Sequence, residues 1–350
     1  MIPVILLTGF LGSGKTTLLQ RLLRDPSMDG TAVLVNEFGE VALDHHLLDR
    51  IDENVVLLKS GCICCTVRGE VAEALSNLNS LRDKGEISFE RVVIETTGLA
   101  DPYPVLQTLA AHPVLRSHFS NGGVLTTVDA VNAQMQVEHR SEAVRQIAAA
   151  DRIVLTKTDL TDARTETELR QRLLRVNPSA SILTSLSATD AILRDFSPLS
   201  FFSKGLTRHA DHICGQGCDH SDHSHAHDHT DSRRHHDETL GVTSFSLVID
   251  GGVEWTMMGT WLTLLLHRYG DRIFRVKGIL AIEGEAFPIA IHGVQHLVHA
   301  PTHLDYWPEG MRHEDKHKSH LVFILEGIEP EKIRRSFNAF LGAPIARSAA

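Results

Sequence analysis

Over the first 200 residues, short apolar runs alternate with helical patterns. The runs are Val4–Phe10, Ala32–Phe38, Val55–Leu58, Val92–Thr96, Val124–Val128, Ile153–Thr156 and Ile182–Leu183. Between them, stretches such as Thr16–Leu23, Val71–Leu81, Ala143–Ala149 and Glu166–Leu174 repeat apolar residues at helical spacing. Strands alternating with helices predict βαβ units around a largely parallel, buried sheet, an α/β domain over residues 1–202. From Gly241 a different order appears. Thr243–Ile249 reads as a strand, and Trp255, Met258, Trp261, Leu262, Leu265 and Leu266 mark one face of a helix, a stripe expected to pack a core. Ile273–Ile282, Pro288–Val298 and Leu321–Leu325 read as further strands and Glu329–Leu341 as a last helix, giving a smaller α+β domain over residues 242–345.

Between these domains, residues 203–241 have almost no large apolar side chains. They hold His209, His212, His220, His223, His225, His227, His229, His235 and His236, nine of the chain's 22 histidines, with Cys214 and Cys218. Such a stretch cannot bury enough surface to offset the entropy of ordering, so a disordered linker is expected.

The remaining composition narrows the partners. The chain of 350 residues carries 34 basic and 44 acidic side chains, a formal net charge of −10, which argues against a nucleic-acid binder. No run approaches the roughly 18 apolar residues of a membrane helix, and the N-terminus lacks the basic flank and cleavage site of a leader. A cytoplasmic location is therefore expected. The five cysteines fall into two close clusters, which in an unexported chain suggest metal or redox chemistry rather than a disulfide framework.

Gly9-Phe-Leu-Gly12-Ser13-Gly14-Lys15-Thr16 matches G-x-x-x-x-G-K-[ST] between an apolar run and a helical pattern, the setting of a phosphate-binding loop. Its glycines let successive N–H groups face a phosphate, and the helix N-terminus adds partial positive charge. Lys15 is expected to reach the β and γ phosphates and the Thr16 hydroxyl to ligate Mg²⁺. Glu95 ends the run Val92–Glu95, where a nucleotidase places an acid near the metal-bound water, and the Gly98 N–H is positioned to sense a γ-phosphate. Thr156-Lys157-Thr158-Asp159 resembles the guanine-reading Asn-Lys-x-Asp element with Thr in first place. Asp159 would accept from guanine N1–H and N2–H while the stem of Lys157 covers the base, which favours GTP over ATP.

Cys62, Cys64 and Cys65 lie within four residues, too close for ordinary disulfides and suited to a soft metal. The set is incomplete for a closed structural zinc site, so an open site is expected, with Glu40 as a further carboxylate ligand. His220, His223, His225, His227 and His229, beside Asp219, Asp222 and Asp228, offer many interchangeable ligands for labile binding. His313, His317 and His320 form a looser group. His292, His296 and His299 are expected to pack or hydrogen-bond.

Together, Thr8–Leu19, Asn36-Glu37-Phe38-Gly39-Glu40, Gly61-Cys62-Ile63-Cys64-Cys65, Glu95–Pro102 and Thr156–Asp159 resemble the CobW family of metallochaperone GTPases, in the family's order. Gly278, Gly293-Val294-Gln295 and Leu321–Ile324 resemble its smaller C-terminal domain. The Cys-x-Cys-Cys element is the most discriminating of these motifs. The resemblance implies a P-loop GTPase that binds a transition metal and hands it to a metal-requiring client protein. Gly12, Gly14, Lys15, Thr16 and Thr17 would hold phosphate and Mg²⁺, with Glu95 in the magnesium and water region, and Lys15 and Glu95 as the catalytic pair. Gly9, Ser13, Gly98, Lys157 and Asp159 would complete the nucleotide contacts, and Cys62, Cys64 and Cys65 would hold the metal. Zinc is the metal implied for His-rich members, with cobalt or iron as alternatives. A zinc buffer with little turnover and a P-loop ATPase or kinase are the rival functions, and homo-oligomerisation is left open.

Overall fold

A computed structural model of the chain describes residues 1–35, 56–59, 67–186, 235–237, 241–307 and 317–341. The chain divides into two compact units, Met1–Phe201 and Phe202–Ala350.

The first unit is built on seven strands: β1 (Ile2–Gly9), β2 (Thr31–Val35), β3 (Val56–Lys59), β4 (Arg91–Glu95), β5 (Phe119–Asp129), β6 (Arg152–Thr156) and β7 (Ser181–Thr184). They lie in the order β3-β2-β4-β1-β5-β6-β7, every neighbouring pair parallel. Parallel strands need long crossovers, which here contain the helices Lys15–Leu22, Val67–Asp83, Tyr103–Ala111, Ser141–Ala149 and Ala163–Val176 among others. This is the α/β sheet that the alternating runs predict. Its apolar strands are buried, with Val4, Leu6, Val92, Val124, Ile153 and Val154 all fully enclosed.

Chain order reverses about β1. The path from β1 runs outward to β2 and β3, returns through β4, then crosses to β5 on the other side. Ligands of open α/β sheets bind at the carboxyl ends of the strands beside such a reversal. The register gathers chemistry there: Leu7 pairs with Glu95, Gly9 with Thr127 and Asp129 with Thr156.

The second unit has β8 (His235–Asp237), β9 (Val242–Ile249), β10 (Ile273–Leu280), β11 (Ile289–Val294), β12 (Leu297–Val298), β13 (Thr302–His303) and β14 (Ser319–Glu326). The sheet runs β12-β11-β10-β14-β9-β8, antiparallel throughout, with β13 paired to β11. Helices Trp255–Tyr269 and Pro330–Leu341 share one core with it. Met258, Trp261, Leu262, Leu265 and Leu266 are buried in that core, as their spacing predicts, whereas Trp255, the first residue of the stripe and of the helix, is exposed. Trp261 meets Phe337 and Phe323 edge-on at 5.0 and 6.3 Å and donates its indole N–H to Ser336 at 3.1 Å.

Several boundaries differ from the sequence reading. The run Pro288–Val298 is not one strand: Gln295 has a left-handed φ of 50° and turns β11 back into β12, a reversal that apolar content does not reveal. Within the stretch expected as linker, His235–Asp237 pairs with Val242–Ser244 as an edge strand, which needs only main-chain hydrogen bonds.

Candidate nucleotide and metal site

The loop after β1 is fixed by glycine and by its neighbours. Gly9 has φ 146°, and a Cβ there would fall 2.3 Å from Thr127 Oγ1, so the loop can leave β1 only without a side chain. Gly14 (φ 85°) is the left-handed residue at the N-cap of helix Lys15–Leu22. Ser13 Oγ and Thr127 Oγ1 are hydrogen-bonded at 2.7 Å, fastening the loop to β5. Gly12 and Thr17 are exposed, and Thr16 is half-buried at the start of the helix.

Lys15 is buried, and its ammonium donates to the carbonyls of Gly9 at 2.8 Å and Phe10 at 3.2 Å. It therefore curls along the concave side of the loop. Thr16 Oγ1 donates to Glu95 Oε1 at 2.6 Å, across a sequence separation of 79 residues. A hydroxyl and a carboxylate side by side under a phosphate loop are the hard oxygen donors that suit Mg²⁺, so the residues present fit that ion. Beyond Glu95, Thr96 donates to Thr8 Oγ1 at 2.9 Å, and Gly98 lies against the loop: a Cβ on Gly98 would be 2.6 Å from the Leu11 nitrogen.

The Thr156–Asp159 element stands at the end of β6. Thr156 Oγ1 donates to the Ser13 carbonyl at 2.8 Å and contacts the Val128 carbonyl at 3.3 Å. Thr in the first place thus ties this element directly to the phosphate loop, and its methyl lies close to Gly14. Lys157 has φ 56°, and its ammonium reaches Asp129 Oδ2 at 2.7 Å. Asp129 also accepts from Asn132 Nδ2 at 2.9 Å and the Val131 N–H at 2.9 Å. Burial pushes the Asp129 carboxyl up, but the hydrogen bonds from Lys157, Asn132 and Val131 outweigh it and hold the group below the ordinary value of 3.8. Asp159 is exposed in the short turn Thr158–Leu160, free to face solvent or a ligand.

The structure therefore brings Gly9, Gly12, Ser13, Gly14, Lys15, Thr16, Thr17, Glu95 and Gly98 to one edge of the sheet, with Lys157 joined to it through Thr156. Sequence reasoning missed Asp129, Gln146 and Thr127. Asp129 carries a usable signal, an acid directly after the apolar run Val124–Val128; the other two act through contacts across the sheet that no local pattern encodes.

The predicted soft-metal ligands Glu40, Cys62, Cys64 and Cys65, and the labile set His220, His223, His225, His227 and His229, lie outside the described residues, as does His313. Among the described residues, no group of three or more His, Cys, Asp or Glu is arranged to hold a metal ion. His292 and His299 pack ring against ring at 4.7 Å. His296 has ring nitrogens 2.9 Å from the Leu266 carbonyl and 2.9 Å from Asp271. His317 packs edge-on against Trp307, and His320 takes its place in β14.

Similarity to known proteins extends over almost the whole chain. Residues 3–184 match the CobW/HypB/UreG nucleotide-binding domain and residues 242–341 the cobalamin synthesis protein cobW C-terminal domain. The Zinc chaperone YjiA of Escherichia coli K12 is 36% identical over 338 residues, covering 96% of this chain and 98% of that protein. The Zinc-regulated GTPase metalloprotein activator 1 of Schizosaccharomyces pombe is 37% identical over 189 residues, covering 52% of this chain and 45% of that protein. The crystal structure of Zn(II)-bound YjiA GTPase from E. coli superposes with a TM-score of 0.67 at 31% identity, covering 97% of this chain and 98% of that one. With a phosphate loop closed by Thr127 and Thr156, a Thr16–Glu95 pair beneath it and both family domains matched in order, the chain belongs to the CobW family of P-loop GTPases.

Proposed function

We propose that this GTPase carries zinc to a metal-requiring client protein and that its nucleotide state governs how tightly the zinc is held. Zinc is here the cargo. The nucleotide phosphates bind the amides of Gly9, Gly12, Ser13 and Gly14, with Thr17 beside them. Lys15 exchanges its carbonyl partners for the β and γ phosphate oxygens. Mg²⁺, when bound, neutralises charge developing on the phosphates. The Thr16 hydroxyl would hold the ion, and the Glu95 carboxylate beside it would orient the attacking water. Asp159 and the stem of Lys157 select guanine.

Cys62, Cys64 and Cys65, with Glu40, form the open thiolate-rich zinc site. His220, His223, His225, His227 and His229 collect zinc loosely and feed that site. The observation that carries the reading is the Thr16–Glu95 pair at 2.6 Å beneath the phosphate loop, which suits hydrolysis rather than storage. The full-length likeness to a protein named a zinc chaperone supports zinc over cobalt or iron.

The test is zinc titration under GTP and under GDP, in wild type and Cys64→Ala. Coupling of about 1–3 kcal/mol changes zinc affinity roughly 5–150-fold between the two nucleotides. Cys64→Ala is expected to remove the tightest site. Equal affinity in both nucleotide states overturns the coupling, and a tightest site that survives Cys64→Ala overturns the ligand assignment.

A further inference from the structure

The segment from Thr96 to Pro102 has no regular structure between β4 and the helix Tyr103–Ala111, yet it is tightly held. Its fastening comes from the helix Ser141–Ala149, on the far side of β5 in sequence. Gln146 is completely buried. Its side-chain amide donates one N–H to the Gly98 carbonyl at 3.1 Å and the other to the Ala100 carbonyl at 3.0 Å. The main-chain carbonyl of Gln146 accepts from Thr126 Oγ1 at 3.0 Å, so the helix is tied to β5 at the same residue. The preceding residue, Arg145, reaches Asp101 Oδ2 at 3.1 Å, and Asp101 Oδ1 accepts the Tyr103 N–H at 3.0 Å. Three acceptors of this segment, at residues 98, 100 and 101, are thus held from one helix.

We infer that Gln146 is the positioning residue that presents the Gly98 N–H to a γ-phosphate, and that this clamp sets the preference for GTP over GDP. The inference rests on the reading of Gly98 as the γ-phosphate contact. The physical case is one of preorganisation. The Gly98 peptide lies against the phosphate loop at Leu11 with no room for a side chain, so a small drift of the segment misplaces its amide. A glutamine amide is suited to the task because both of its N–H groups are spent on carbonyls two residues apart, which fixes the intervening peptides. A segment fixed before binding loses little entropy when the γ-phosphate arrives. GDP makes no demand on Gly98, so removing the clamp should weaken GTP binding and leave GDP binding in place.

The experiment measures GTP-analogue and GDP affinity of the full chain, with a non-hydrolysable GTP analogue and Mg²⁺, in wild type, Gln146→Met, Asp101→Asn and Gly98→Ala. Methionine keeps the volume and removes both donors. Gln146→Met is expected to lower the ratio of GTP-analogue to GDP affinity about tenfold, the size of losing one to two hydrogen bonds. GDP affinity should stay within about twofold, a split that general destabilisation would not produce. Asp101→Asn, at a partly exposed position, should lower the ratio in the same direction by a smaller factor, and it carries the test if Gln146→Met does not fold. An unchanged ratio in Gln146→Met, or in Asp101→Asn when that variant carries the test, overturns the inference. If Gly98→Ala lowers the ratio while those variants do not, the reading of Gly98 survives and only the role of Gln146 falls. If Gly98→Ala also leaves the ratio unchanged, the Gly98 reading falls with it.

Discussion

Replacing Asp129 by Asn isolates the anchor of Lys157. Only 2% of the Asp129 side chain is exposed, and its Oδ2 accepts from both Lys157 and Asn132 while Oδ1 accepts from the Val131 N–H. Asparagine preserves the Oδ1 acceptor but turns an NH2 toward two donors. A hydrogen bond to a charged group contributes about 1.5–3 kcal/mol. Lys157 keeps 39% of its side chain in solvent and Asn132 is exposed, so water replaces part of each bond. A net loss of about 2 kcal/mol, or roughly 30-fold in the folding equilibrium, is the expected size. For a unit of this length that lowers Tm by about 4–8 °C. The pH dependence has a definite sign. The folded carboxyl titrates below the ordinary value of 3.8, so its stabilisation is complete above that value and is lost as pH falls through the lower, folded one. Thermal unfolding of both proteins from pH 7 to pH 3 should show a gap that is constant in the neutral range and narrows once pH falls below the ordinary value of 3.8. A neutral-pH gap under 1 °C, or one that persists unchanged to pH 3, refutes the reasoning.

Three further outcomes follow from the same contacts. Thr156→Val removes the hydroxyl that bridges Ser13 and Val128 and should weaken GTP and GDP binding alike by about 1–2 kcal/mol, read by calorimetry; a loss confined to GTP would contradict it. Gly9→Ala forces a Cβ to 2.3 Å from Thr127 Oγ1 in a left-handed conformation and should abolish nucleotide binding while the C-terminal unit keeps its folded near-ultraviolet signal. Trp261→Ala opens the core beneath Phe323 and Phe337 and should cost about 3–5 kcal/mol in denaturant unfolding of that unit, with nucleotide binding retained.

Local chemistry made parts of this protein readable from its sequence. The phosphate loop is contiguous, and its glycines announce backbone conformations that other residues rarely adopt. Apolar runs that are buried on both faces announce a parallel sheet. Boundaries were less visible. The helix Ala163–Val176 begins a turn earlier than the periodicity from Glu166, because Asp162 caps it by accepting the Thr165 N–H at 2.7 Å. Gln295 conceals a strand reversal inside an apolar run.

Sequence by itself determined the α/β class, the phosphate loop and the Trp261 core stripe, since each depends on residues a few positions apart. It also supplied the reason to expect guanine, through Lys157 and Asp159. Tertiary structure decided which distant groups serve the loop: Glu95 meets Thr16, Thr127 meets Ser13, Asp129 holds Lys157 and Gln146 holds Gly98. Those pairings join residues 28 to 114 positions apart, and they arise only when parallel strands bring their carboxyl ends into one row. Strand register, which no local pattern encodes, is what turns separate motifs into a site.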